Sequence, residues 1–317
     1  MAERTPAPPR VRAAVQGAFV VAVLWFGGAL LAEQWGAVGE LRASLHPSWG
    51  RIAFSGGIVL VSYAVLIATW RATVQAWGER IGIGDAARIW FVSNLGRYVP
   101  GKVWQIGAMG VMAQRVGVSP VAAVGSALVV SLVHVLVGFG VVAATGRELL
   151  AGAAPPGGLL VAALAAMGIA VVSAPWWIPT ALRLVSRVSG RTIAAPRLPP
   201  RAIWVAALGS AVAWVLFGLA FRELTLALLG SVTGDAAAYV AVFTLSYLLG
   251  FVALFAPGGI GVRELSMAAL LVSASLATAP QAALLVVASR LWLTVLEILP
   301  GALFLAWPSF RPAPSSS

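Results

Sequence analysis

The sequence has no cysteine, a single lysine (Lys102) and two histidines, His46 and His134, 88 positions apart. Without cysteine there is no disulfide scaffold, no thiol nucleophile and no thiolate metal site. Two histidines so far apart do not suggest a His-based metal centre, and no metal or other cofactor is expected. Charge is scarce as well. Asp, Glu, Lys and Arg make up 10% of the residues, against about 25% in soluble domains. No G-x-S-x-G elbow, HExxH or DxD pair occurs, so no catalytic residue is assigned.

Apolar residues fill the space that charge leaves. They make up 60% of the 317 residues, and mean hydropathy is +0.95. A soluble globule of this length could not cover that much apolar surface. The class is an all-α polytopic membrane protein, which excludes a soluble enzyme, a DNA-binding module and a secreted disulfide scaffold. The net charge of +11 would suggest nucleic acid in a soluble protein. Here it reads as basic loops against anionic headgroups, with no nucleic-acid partner.

Spans of about 20 apolar residues are needed to cross a bilayer. Candidates are 13–32, 52–70, 119–143, 158–178, 202–221, 238–256 and 281–306, with a short eighth at 264–279. Segment 89–113 is apolar but broken by Asn94, Gly96, Arg97, Pro100, Gly101 and Lys102. The expectation is seven or eight spanning helices with one or two Pro-Gly-broken re-entrant segments. These form a single transmembrane domain over 13–306, between a polar cytoplasmic N-terminus (1–12) and a short cytoplasmic tail (307–317). The N-terminal apolar core is too long for a secretory signal and no good A-x-A site follows it, so it reads as an uncleaved helix. Tryptophans near helix ends, at Trp35, Trp49, Trp176, Trp177, Trp204 and Trp307, suggest an interfacial belt.

Orientation follows from arginine. The polar loop at about 179–201 carries Arg183, Arg187, Arg191, Arg197 and Arg201 and no acid, which makes it cytoplasmic. The basic N-terminus agrees with that only if 89–113 enters from the cytoplasm and returns. Both termini are then cytoplasmic.

A G-x-x-x-x-G-K pattern at Gly96–Lys102 is rejected as a phosphate loop. Position 103 is Val rather than Ser or Thr, Pro100 occupies the loop, and the flanks are membrane-like. The same stretch has an echo. Tyr98-Val99-Pro100-Gly101-Lys102 resembles Phe255-Ala256-Pro257-Gly258-Gly259, with the prolines 157 positions apart. Pro/Gly-interrupted segments at matching places in two halves point to the binding site of a repeat-built transporter. The halves would be about 13–178 and 202–306. Pro-Gly pairs also simply end helices, and both readings remain open on spacing alone.

The placement of charge is more informative. Eight of the ten acids fall in loops or at helix ends; only Glu264 and Glu297 lie inside apolar segments, as do the basic residues Arg97, Lys102, Arg263 and Arg290. A charge at membrane depth costs roughly 2.5–3.5 kcal/mol on insertion scales, so such residues face a bundle interior or a watery cavity. Each also has a plainer role. Glu264 opens a helix and complements its dipole, and Arg263 can snorkel to the interface. Arg290 and Glu297 share a helix face but stand about 10.5 Å apart along it, too far to pair. Arg290 with Glu264, and Lys102 or Arg97 with Glu297, are the pairs to look for. His134, one turn after Ser131, reads better as a cross-helix hydrogen-bonding group than as a proton relay.

Two stretches carry a family resemblance: Asn94-Leu-Gly-Arg-Tyr-Val-Pro-Gly-Lys-Val-Trp-Gln105, and Ala256-Pro-Gly-Gly-Ile-Gly-Val-Arg-Glu264 followed by Arg290 and Glu297. Together they resemble the lysylphosphatidylglycerol synthase transmembrane, or flippase-like, family over roughly 50–306. The resemblance implies a bacterial inner-membrane protein that moves a phospholipid or lipid-linked molecule between leaflets. It carries over Asn94, Pro100, Gly101, Pro257, Gly258, Gly259, Gly261, Glu264, Arg290 and Glu297. Arg97, Tyr98, Lys102 and Arg263 adjoin them as lipid-binding candidates, with Arg97, Lys102 and Arg263 drawing an anionic headgroup. In the two-part synthases, aminoacyl transfer belongs to a separate C-terminal soluble domain. None precedes Ser317, so synthase activity is not expected. Around Val130 to His134 the sequence departs from the family, where a charged position is anticipated. The alternative is a non-transporting membrane subunit that docks a lipid-modifying or glycosyl transferase.

Overall fold

The computed structural model describes residues 47–96, 103–147, 200–252 and 261–306, with single positions between 149 and 180. Among them are eight helices and no strand. They are α1 (Trp49–Ala76), α2 (Ile83–Leu95), α3 (Val103–Arg115), α4 (Pro120–Thr145), α5 (Pro200–Leu229), α6 (Ala236–Val252), α7 (Val262–Ser273) and α8 (Ala279–Ala306). Four are long and apolar enough to cross a membrane: α1, α4, α5 and α8. The expected span 13–32 and nearly all of 158–178 lie outside the described residues.

α1, α5 and α8 outrun the apolar stretches that predict them, whereas α7 ends at Ser273, short of the expected 279. α1 continues past residue 70 through Arg71, Thr73 and Gln75 to Ala76. The continuation is held from outside, since the Arg71 Nε donates to the Ile81 carbonyl at 2.8 Å. Pro120 at the first position of α4, after Ser119, suits a helix start because proline lacks only an N–H that would be unpaired there.

α5 is the axis of the bundle and packs along α1, α4 and α6. The Ser55 hydroxyl of α1 donates to the Ala220 carbonyl of α5 at 2.6 Å. A Cβ on Gly218 of α5 would overlap the backbone of Val240 in α6, so glycine is what lets these two helices approach so closely. Trp70 and Trp214 are almost fully buried. Each indole N–H is satisfied by an α4 carbonyl, Ala123 at 3.1 Å for Trp70 and His134 at 2.9 Å for Trp214. Trp49, Trp176 and Trp204 are exposed, as an interfacial belt requires. The tryptophans thus divide between belt and core.

Segment 89–113 is not one element. It divides into α2 and α3, which flank residues 96–102. α8 packs against α2 and α7 and thereby touches both interrupted parts of the chain. Pro300 lies inside α8 and removes the backbone N–H that would bond the Leu296 carbonyl.

Candidate functional site

Two short-helix pairs frame the site. α2 and α3 have 13 residues each, about 20 Å at 1.5 Å per residue, well short of the roughly 30 Å hydrocarbon core. They fold back on one another. The Gln105 side-chain amide of α3 donates to the Asn94 Oδ1 of α2 at 2.6 Å, tying the two sides of the break together. α6 and α7 form the second pair, and Arg263 near the start of α7 lies over the rings of Phe243 and Tyr247 in α6. Arg97, Tyr98, Pro100, Gly101 and Lys102 of the first break, and Pro257, Gly258 and Gly259 of the second, lie outside the described residues.

Gly261 precedes α7 with φ +88°, a left-handed conformation that residues with a Cβ rarely adopt. Its N–H donates to Glu264 Oε2 at 2.7 Å. The carboxylate thus reaches back over the first turn and satisfies a donor that helix geometry leaves unpaired. Its other oxygen, Oε1, stands 3.4 Å from Arg290 Nη1 on α8. One side chain therefore does both things expected of it: it complements the helix start and pairs with Arg290. The pair keeps 30% and 25% of its side-chain surface exposed, so it borders an accessible face.

Glu297 lies two turns further along α8. Tyr63 of α1 donates its hydroxyl to Glu297 Oε1 at 2.9 Å. The expected partners Arg97 and Lys102 are outside the described residues, and a neutral phenol makes this contact. Tyr63 is itself packed edge-on against Phe91 of α2 (5.7 Å) and Phe217 of α5 (5.6 Å), which fixes the direction of its hydroxyl. Further along, Leu95 at the end of α2 packs on Gly301 of α8.

Arg263 is buried, only 8% exposed, and does not snorkel. Its guanidinium lies 4.9 Å from the Tyr247 ring centroid and 5.5 Å from that of Phe243. Such contacts are worth about 2 kcal/mol when desolvated, which offsets part of the cost of burial. Nη2 has no hydrogen-bond partner. Arg263 adjoins Glu264 on α7, and Glu264 reaches Arg290 on α8, so these three ionisable groups lie together at the start of α7.

His134 makes its cross-helix contact differently from the expectation. Its ring stacks on Trp214 at 4.2 Å, and its backbone carbonyl, not its side chain, takes the Trp214 hydrogen bond. Nδ1 is buried with no hydrogen-bond partner. Trp214 in turn meets Tyr247 edge-on at 5.4 Å. Tyr63, Phe243, Tyr247 and Trp214 hold the site's ionic groups and histidine in place. Sequence reasoning missed all four, because an aromatic residue in an apolar helix carries no positional signal.

Among the described residues no cluster of His, Asp or Glu could hold a metal ion. The family model described as Lysylphosphatidylglycerol synthase TM region matches residues 13–301. No curated protein matches the chain.

Proposed function

The chain belongs to the lysylphosphatidylglycerol synthase TM region family, and from that premise we propose that it translocates a phospholipid or lipid-linked molecule between the leaflets of the bacterial plasma membrane. Both termini face the cytoplasm in this reading. The matched region is a transmembrane region, which favours movement of a lipid over aminoacyl transfer. The observation that carries the proposal is the Arg290–Glu264 pair, joined at 3.4 Å between the start of α7 and the middle of α8. Charges at membrane depth are expensive and mark substrate pathways. This pair is part exposed and follows the Pro257-Gly258-Gly259 stretch closely in sequence, and backbone left unpaired at membrane depth would need a polar cavity. The headgroup would pass along such a cavity while the acyl chains stay in lipid.

The test is a leaflet-resolved lipid-translocation assay in proteoliposomes containing the full chain, run across anionic, zwitterionic and aminoacylated lipids. The expected result is translocation of at least one lipid, lowered at least about tenfold in Glu264→Ala and Arg290→Ala, the loss that follows from about 1.4 kcal/mol at the barrier. Equal rates in wild type and both variants, or no movement of any lipid, would overturn the proposal.

A further inference from the structure

We propose that Arg263 is a phosphate-type oxyanion subsite: the guanidinium, clamped on Phe243 and Tyr247, receives the anionic group of the ligand. The inference rests on the reading of the chain as a lipid translocator and names the chemistry that its site selects.

The two described cations of the site are partnered differently. Arg290 has its acid, Glu264, at 3.4 Å. Glu264 is further engaged by the Gly261 N–H at 2.7 Å. Glu297 is held by Tyr63 at 2.9 Å. Arg263 makes no ion pair among the described residues, and its Nη2 is buried with no hydrogen-bond partner. Arginine does not lose its proton in a protein, so the charge stays in place with Nη2 unsatisfied. Aromatic faces stabilise the charge but take none of its N–H donors. A buried cation left in this state is costly, and a ligand oxyanion supplies what is missing.

Geometry favours an oxyanion over a neutral acceptor. A guanidinium presents parallel N–H donors that match two oxygens of a phosphate or carboxylate. The two rings hold it, with centroids 4.9 and 5.5 Å from the Arg263 Cζ, so the guanidinium is in place before a ligand arrives. The next residue along α7, Glu264, and its partner Arg290 are part exposed, which gives the buried guanidinium an accessible neighbour. The pairing also separates two roles. Arg290 neutralises Glu264 and positions α8, whereas Arg263, of these two, is the cation still able to bind. A lipid headgroup phosphate and a free phosphate share the chemistry that this subsite recognises.

The test is isothermal titration of the full chain in maltoside micelles with dihexanoyl phosphatidylglycerol, inorganic phosphate, and dihexanoyl glycerol, which has the chains without the phosphate. Wild type is expected to bind the phosphatidylglycerol and not the dihexanoyl glycerol. Arg263→Gln should weaken binding at least about tenfold, and Arg263→Lys about three- to tenfold, because an ammonium keeps the charge and loses the fork. Tyr247→Leu should weaken it through loss of the clamp while leaving the charge, and it serves as the readout if Arg263→Gln does not fold. Arg51→Gln, whose partner is Glu223 on α5 rather than a residue of the site, should bind within about twofold of wild type. Tight phosphatidylglycerol binding with weak competition by phosphate identifies a lipid headgroup. Phosphate binding as tightly as the lipid identifies a free anion, and either supports the subsite. Affinity in Arg263→Gln, Arg263→Lys and Tyr247→Leu within twofold of wild type, or equal binding of dihexanoyl glycerol, would overturn it. The two proposals fail separately. Translocation that persists with Arg263-independent binding removes the subsite alone. Arg263-dependent binding without translocation of any lipid removes the transport reading alone.

Discussion

The hydroxyl of Tyr63 on α1 donates to the carboxylate of Glu297 on α8 at 2.9 Å, across 234 positions of sequence. It joins the first described helix to the last and fixes an acid within an apolar span. Tyr63→Phe keeps the ring and its edge contacts with Phe91 and Phe217 and removes the hydroxyl that donates to Glu297. We expect it to cost about 1–2 kcal/mol, between the value for hydrogen bonds to charged groups and that for hydrogen bonds inside membranes. Glu297→Gln keeps an acceptor oxygen and should cost less. Denaturant unfolding of both variants in micelles checks the order, and a more costly Glu297→Gln would contradict it.

Glu264 has two separable jobs. Glu264→Gln retains an oxygen for the Gly261 N–H and loses the ionic contact to Arg290. Glu264→Ala loses both. Because the pair is part exposed, solvent screening holds its loss to about 1 kcal/mol or less. Loss of the cap adds about 1 kcal/mol. The unfolding midpoint should therefore fall in the order wild type, Gln, Ala, while translocation falls in both variants. Equal midpoints for Gln and Ala would mean that the cap contributes nothing.

Two glycines should respond in opposite ways. Gly218→Ala places a methyl group against the backbone of Val240 and forces α5 from α6, at about 1–3 kcal/mol. At Gly57 in α1 a methyl group would meet nothing within 4 Å, so Gly57→Ala should be neutral or stabilising by up to about 1 kcal/mol through helix propensity. Thermal unfolding of the two variants side by side tests the contrast.

The His134 ring serves as a stacking face for Trp214. His134→Phe preserves that face and should leave translocation within about twofold, whereas Trp214→Ala removes a buried indole and should cost about 3–5 kcal/mol. Loss of translocation in a well-folded His134→Phe would show instead that the imidazole handles protons.

Much of this architecture is legible in the residues. The spans 52–70, 119–143, 202–221 and 281–306 each coincide with one long helix, α1, α4, α5 and α8, because a bilayer demands an apolar run that composition alone displays. Arg290 and Glu264 are legible as a pair because a charge inside such a run needs a partner. The clamp on Arg263 is not legible. Phe243 and Tyr247 are ordinary residues for an apolar helix, and their role exists only once α7 folds back over α6. The same holds for Tyr63, whose hydroxyl is a weak polar feature until α8 brings Glu297 to it. Helix ends are also hidden, since the polar last turns of α1 are stabilised by loop contacts such as Arg71 to Ile81, which hydropathy does not register.

α8 packs on α7 through Ser289, whose hydroxyl lies 3.7 Å from Met267 Sδ, and on α2 through Gly301, against Leu95. A single rod touching both interrupted parts of the chain makes their energetics reciprocal. If a ligand at α7 alters the seating of α2, then a change at α2 must alter affinity at α7 by the same factor. Pro300 sits just before the α2 contact and supplies a soft joint, so strain passes between the two ends only as far as that joint is stiff. A double-mutant cycle between Met267→Ala and Leu95→Ala measures this transmission. A non-zero coupling energy between residues on separate helices would mark α8 as a lever, and a zero value would leave it a passive strut.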